Sequence, residues 1–372
     1  MRTLPIRQIA SDAEQLPVLY AGWLRDVLPG PIPRERRATC EACAMLPREH
    51  SAPAEATAYA FNPATKCCTY LPELPNFLVG ALLSDPAVTP PGRASVAARM
   101  AQGVGVTPLG LHKTPLYNII YAGSSTATFG QAMALRCPHY VEDAGACGIW
   151  QYRDAICSTW FCKHERGKVG AAFWRALSAF LRVIEIQLAL RCAADAGAGP
   201  STVVQALNTR SADAASMLGA ELVSSQNDAF VNTHWQQLPS DPETFYMRCY
   251  DIARHIAWSE IRAMGGEELR LRERVLLDAY AELVTTSLPE RLAVGTVEAT
   301  RINADWYQVI SYSGYDPVAI PSSVWNALAV FDGRPTAEAL DDLPPETAQA
   351  LLQNDLIHRL VENAVLASRS PT

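Results

Sequence analysis

The sequence has little charge and no long apolar run. Only 19% of its 372 residues are Asp, Glu, Lys or Arg, and no apolar stretch reaches the eighteen or so residues that a membrane helix requires. The opening segment, Met1 to Leu16, carries Arg2, Arg7, Asp12 and Glu14 with no continuous apolar core, so it does not read as a secretory signal. The formal net charge is −7. A general nucleic-acid binder needs a basic face to release counterions from phosphates, and that excess is missing. Also missing are a phosphate-loop or Rossmann glycine fingerprint, a G-x-S-x-G elbow and an H-E-x-x-H pair. Conventional hydrolase and nucleotide-binding readings therefore have no support. An apolar fraction of 49% places the chain among globular proteins rather than disordered ones.

Cysteine is what the chain does have, ten of them. With no sign of export, the expected compartment is the reducing cytoplasm, where stable disulfides are rare and metal ligation or catalysis is the commoner use of a thiol. Eight of the ten fall in two groups: Cys40-x2-Cys43 with the adjacent pair Cys67-Cys68, then Cys137, Cys147, Cys157 and Cys162. A C-x2-C turn aims two thiolates at one ion and turns backbone N–H groups toward the sulfurs. Adjacent cysteines are strained as a mutual disulfide, but they serve two ions, or two irons of one cluster. Four thiols as close as the second group, interrupted by Gly and Pro, are hard to explain as packing. Cys192 and Cys249 lie in helical stretches and read as buried free cysteines. His139 and His164 flank the cluster as a fourth ligand, a proton shuttle or a solvated neighbour. Tyr70, Tyr140, Trp150, Tyr152, Trp160 and Phe161 would shield the site.

The run Cys137-Pro138…Cys147-Gly148-Ile149-Trp150-x-x-Arg153-x-x-x-Cys157-x4-Cys162 resembles the second half of the zinc- or iron-chelating cysteine-cluster (CxxCxxCC) family, of which the flagellin lysine N-methylases are distant members. The family's first half is usually a compact C-x2-C-x2-C-C. Here an insertion parts Cys40 and Cys43 from Cys67-Cys68, and Asp154 stands where proline is usual. The resemblance covers residues 40–165 and implies metal bound by Cys40, Cys43, Cys67, Cys68, Cys137, Cys147, Cys157 and Cys162. An all-thiolate set suits both zinc and iron–sulfur. Iron–sulfur, for which a 4Fe-4S cluster is one form, is favoured and zinc stays open; eight thiolates suit two four-cysteine ions, one cluster with four spare thiols, or a polynuclear centre.

The expected organisation has three parts. Residues 1–167 form an irregular cysteine-rich metal-binding module, opened by a short helix at Asp12–Val27 and holding a loop at Ser51–Asn62. Residues 168–287 form a helical region, and residues 288–372 a small winged-helix-like module. The overall class is mainly α with minor β. Apolar residues from Val169 to Leu188 recur at steps of three and four, which predicts a helix over Lys168–Ala194. Further helices are expected at Pro200–Leu207, Ala212–Val223, Phe245–Met264 and, after Gly265-Gly266, Glu267–Val284. The segment from Tyr117 to Thr126 is small and polar enough for a ligand loop. Residues 304–312 read as a strand. Short helices are expected at Ser322–Phe331, Thr336–Asp341 and Pro345–Asn363. The segment Phe331-Asp332-Gly333-Arg334-Pro335-Thr336 resembles the turn of PqqD-type peptide-recognition domains, which implies that Asp332-Gly333 makes a turn and that Thr336 caps the next helix. Its acidic residues disfavour DNA. A peptide or protein partner, or a homodimer, suits it better, with no membrane involved.

Three functions follow from these features. The first is a cytoplasmic iron–sulfur protein that modifies a peptide or protein docked on the C-terminal module. The second is a non-catalytic zinc protein that binds a partner. The third, implied by the methylase members, is methyl transfer from S-adenosylmethionine.

Overall fold

The computed structural model describes residues 16–46, 59–103, 105–113, 115–123, 128–211 and 235–369. About 52% of the chain is helical, so it is mainly α. The helices expected at Ala212–Val223 and over the first residues of Asp12–Val27, most of the Ser51–Asn62 loop, and Ser124 to Thr126 lie outside the described residues. Among the described residues no helix is long and apolar enough to cross a membrane.

Helix α1 spans Val18–Val27. A short strand, β1 (Leu74–Pro75), leads into α2 (Asn76–Ser84), followed by α3 (Pro90–Gln102). Strands β2 (Val106–Thr107) and β3 (Gly110–Leu111) complete a small antiparallel sheet in the order β1-β3-β2. After α4 (Pro115–Gly123) comes the hairpin β4 (Tyr140–Val141) and β5 (Ala146–Cys147), then α5 (Ala155–Thr159). Helix α6 (Gly167–Asp195) buries Phe173, Trp174, Leu177, Phe180, Leu181, Ile184 and Leu188. This is the wide apolar stripe that the three-and-four periodicity requires.

Helix α7 covers Pro200–Ser211. The run expected at Phe245–Met264 is two helices, α8 (Pro242–Ala253) and α9 (Trp258–Val284). Ala257 is extended between them, and the Glu260 side chain accepts its N–H at 3.2 Å, which starts a fresh helix. Gly266, at φ 56° and ψ −144°, is non-helical and divides α9 into two helices across a kink, at the Gly265-Gly266 break that the sequence predicts.

Helix α2 explains how the cysteine-rich half is anchored. All residues from Asn76 to Leu83 are buried, so it has no polar face and no helical period to read. It lies against α8 so closely that a Cβ on Gly80 would sit 1.8 Å from the Tyr246 carbonyl oxygen. Consequently the largest apolar core runs from Leu16 to Leu283 and includes Phe77, Leu78, Leu82 and Ile149 beside the long helices.

A second core, from Leu288 to Leu366, belongs to the C-terminal segment. There β6 (Arg291–Val294) pairs antiparallel with β10 (Asp332–Pro335) and β11 (Leu366–Ser368). Strands β7 (Glu298–Arg301), β8 (Trp306–Ile310) and β9 (Val318–Pro321) form an antiparallel sheet in that order. Short helices α10 (Ser322–Ala327), α11 (Thr336–Asp341), α12 (Pro345–Leu352) and α13 (Leu356–Glu362) fill the rest. Three details depart from expectation. Asp332-Gly333 belongs to β10, with Gly333 at φ 103°, because the segment hydrogen-bonds to β6 rather than turning freely. Thr336 does not cap α11: its hydroxyl donates to the Pro289 carbonyl at 2.8 Å and its N–H to Glu290 O at 2.7 Å. The helix expected across Pro345–Asn363 is broken where Asp355 adopts φ 55°.

Candidate functional site

Each cysteine segment is set by backbone hydrogen bonds. In the first turn Ala42 N–H donates to Thr39 Oγ1 at 3.2 Å and Leu46 N–H to Cys43 O at 3.3 Å. The Cys67-Cys68 turn hangs from Asn62, whose carbonyl accepts Lys66 N–H at 2.8 Å, and from Thr65, whose hydroxyl reaches Gly130 O at 2.9 Å. Lys66 takes φ 48° to make that turn, an uncommon conformation for a residue with a Cβ. Cys137 N–H donates to Cys68 O at 2.8 Å, which joins the two cysteine groups directly. The β4–β5 hairpin sets Cys147 opposite Tyr140. Asp154 caps α5, accepting Cys157 N–H at 2.8 Å on one oxygen and Glu73 N–H at 3.1 Å on the other.

The segment after Cys162 is held from the far end of the chain. Asp316, in the β8–β9 connection, accepts His164 N–H at 3.1 Å and Arg37 Nη2 at 2.8 Å, and also takes the Tyr312 hydroxyl. The Tyr312 hydroxyl lies 3.1 Å from His164 Nδ1.

These segments enclose one cavity of about 190 Å³. Cys40, Cys43, Cys67, Cys68, Cys137, Cys147, Cys157 and Cys162 all line it, so the insertion after Cys43 does not separate the groups. Among the described residues no three His, Cys, Asp or Glu side chains converge on a point as the ligands of a single ion would. The thiols are spread around the wall. His139, Tyr70, Trp150, Trp160 and Phe161 line it too, as do Tyr121 and Phe129. Phe61, Phe129, Trp160 and Tyr315 form an aromatic cluster on one side, with Phe129 and Trp160 at 4.9 Å and Phe61 and Tyr315 at 5.9 Å between ring centroids. Tyr315 comes from the C-terminal segment and packs behind the aromatic side chains that line the cavity.

Burial dominates the electrostatics. It pushes the thiols of Cys40, Cys137 and Cys162 up to about 12, and raises Cys43, Cys147 and Cys157 as well. The hydrogen bond between the adjacent thiols lowers Cys67 and raises Cys68. Arg153 stacks over the Trp150 ring, its guanidinium carbon 3.4 Å from the ring centroid, and donates to Cys157 O at 2.8 Å. At neutral pH most of these thiols are protonated, so any metal that binds must displace protons to generate thiolates.

Other residues singled out in the sequence lie elsewhere. Cys192 and Cys249 are fully buried in the main core. His164 is held by Tyr312 and does not reach the cavity wall. Tyr140 and Tyr152 point their hydroxyls at Pro63 O and the Asp85 carboxylate. Tyr117 belongs to α4, and its hydroxyl bridges Thr69 O and Leu71 N. Phe129 is not signalled by any motif, because only the tertiary fold brings it to the cysteines; Lys66 precedes Cys67 in the chain, and Tyr121 falls in the segment expected as a ligand loop, which is helix α4 here.

Comparison of the chain with family models, curated proteins and solved structures finds no match.

Proposed function

We propose that the chain is a metalloprotein whose cysteine-lined cavity holds an iron–sulfur centre, of the 4Fe-4S kind, and that it modifies a peptide or protein docked on its C-terminal module. One observation carries the reading of the centre. Eight cysteines surround a single cavity of about 190 Å³ without any three converging on a point. A tetrahedral zinc site draws its four ligands to within about 2.3 Å of one ion, which leaves no such volume. A polynuclear centre fills the volume and takes ligands from several walls. The apolar and aromatic lining would exclude water, which tunes the potential of a cluster.

The C-terminal module is winged-helix-like on this reading: a three-stranded antiparallel sheet followed by short helices. Strand β7 is an edge with all four residues exposed, which suits the addition of an extended peptide. Because Asp316 and Tyr315 lie against the cysteine segments, a partner on this module would stand close to the centre.

The test is anaerobic purification of the full chain, followed by iron, zinc and acid-labile sulfide analysis with visible and electron paramagnetic resonance spectra. Iron and sulfide in similar amounts, with a brown protein, support the proposal. Stoichiometric zinc without sulfide in a colourless protein would replace it with the structural-zinc reading.

A further inference from the structure

Two cations beside the cysteines have no carboxylate at contact distance among the described residues. Lys66 lines the cavity next to Cys67, and its Nζ donates to Cys40 O at 2.7 Å and to Gly145 O. Arg99 is buried behind Cys137 and His139. Its Nη1 donates to Pro72 O at 3.3 Å and lies 3.2 Å from His139 Nε2, and its Nη2 donates to His112 O at 3.3 Å. Every one of these acceptors is neutral. Among the described residues neither cation forms an ion pair with Asp or Glu.

A buried charge is costly unless an opposite charge sits nearby, and the common solution is a carboxylate at contact distance. At Arg99, which is buried, and at Lys66, which is half-buried, that solution is missing at contact distance, while cysteine sulfur is near both. Lys66 also ties three cysteine segments together. It precedes Cys67 in the chain, grips the carbonyl of Cys40, and through Gly145 holds the hairpin that carries Cys147.

We infer that Lys66 and Arg99 are the counter-charges of a net-negative metal–thiolate centre, so that the missing anion is the centre itself. The inference rests on the iron–sulfur reading above and goes beyond it by assigning roles to two residues that do not ligate the metal. Reduction adds one electron, hence one more negative charge, to the centre. A fixed cation nearby favours the reduced form, so removing the cation must lower the midpoint potential.

The experiment uses the full chain, purified anaerobically, with a dye-mediated redox titration followed by electron paramagnetic resonance. Lys66→Gln keeps an amide donor for the two carbonyls and loses the charge. Arg99→Gln does the same behind Cys137, and Lys66→Arg keeps the charge. Each neutral variant is expected to shift the reduction equilibrium about tenfold toward the oxidised form, about 59 mV for a one-electron couple, while Lys66→Arg stays near the parent. Iron and sulfide retained in Lys66→Arg but lost in Lys66→Gln would equally support the role of charge. Neutral variants that load normally and titrate at the parent midpoint overturn the inference. So does loss of the centre in Lys66→Arg, which would make the role of Lys66 one of geometry. A parent protein without iron and sulfide removes the reading of the centre, a failure distinct from either of these.

Discussion

Arg37 and Asp316 form a forked ion pair across 279 residues of chain, with Nη2 to Oδ1 at 2.8 Å and Nη1 to Oδ2 at 3.3 Å. The carboxylate is 2% exposed and the guanidinium side chain 34%. The same carboxylate holds the backbone of His164, two residues past Cys162. A single side chain of the C-terminal segment thus fixes both the approach to the first cysteine turn and the exit from the last cysteine.

Asp316→Ala should therefore act on the cavity and not only on its own loop. It leaves a buried N–H without its acceptor and a partly buried guanidinium with only the His164 carbonyl, at 3.0 Å, a loss of about 2 kcal/mol once the exposure of Arg37 is allowed for. Hydrogen exchange should quicken at residues 162–166 as well as at 311–317. Faster exchange confined to 311–317 would show that the two regions are not linked through this residue.

Glu35 gives a pH dependence whose sign is fixed by burial. Burial raises its carboxyl from 4.5 to about 7, although it accepts hydrogen bonds from Trp174 Nε1 at 2.7 Å and from Glu165 N–H. The folded state holds this proton more tightly than the unfolded chain. The stability it contributes is therefore complete below pH 4.5 and is lost as pH rises to about 7, by about 3 kcal/mol over the window. Glu35→Gln has no proton to lose. The difference in unfolding free energy between Glu35→Gln and the parent should rise from pH 4.5 to 7 and then level off. A difference that is flat across that range would mean that Glu35 is ionised throughout.

Gly80→Ala probes the anchoring of the cysteine-rich half. The new methyl would meet the Tyr246 carbonyl at 1.8 Å, and a backbone atom inside a helix cannot swing aside. A cost of about 3 kcal/mol is expected, read as a lower midpoint in urea. Alanine at this site with unchanged stability would show that α2 and α8 are farther apart than described.

The ten cysteines should divide sharply by role. Cys192→Ala and Cys249→Ala remove buried sulfur from the main core and should cost on the order of 1 kcal/mol each, with metal content unchanged. On the proposed reading, the double change Cys67→Ser with Cys68→Ser should strip the metal, since both line the cavity and the Cys68 carbonyl joins the first group to Cys137. Metal retained in that double variant would remove the adjacent pair from the ligand set.

On the proposed reading, removal of the metal by a chelator under argon should loosen residues 40–46, 59–70 and 128–165, which carry the cavity's cysteines. Helix α2 should stay protected, because its residues belong to the core shared with α6 and α8. Limited proteolysis with mass spectrometry of the fragments checks this. Cleavage within 76–84 as early as within 128–165 would place α2 under the control of the metal.

What the sequence made legible is what repeats or is chemically rare. The period of Phe173, Leu177, Phe180 and Ile184 announces α6, and eight cysteines announce a site. Helix α2 is silent because a segment buried on every side has no polar face to mark a period. The break between α8 and α9 is silent for another reason: Ala257 is held extended by the side chain of Glu260, a choice that no propensity signals. Thr336 reads as a cap by its position before an acidic helix, yet the nearness of Pro289 gives its hydroxyl a different acceptor. Lys66 and Arg99 look like ordinary surface charges in the sequence. Their setting depends on where Cys40, Gly145 and His139 arrive in space.

The packing of Gly80 against Tyr246 also sets a clock for biosynthesis. The ribosome releases α2 long before α8, and the 157 residues between Ser84 and Pro242 take on the order of eight to thirty seconds at about 5–20 residues per second. For that interval a helix of Phe, Leu, Val and Ala lacks the surface it is shaped for. The nascent chain must shelter it, through α6 once that helix emerges or through a chaperone before then. A stalled or truncated product ending ahead of Tyr246 would carry that bare strip and aggregate.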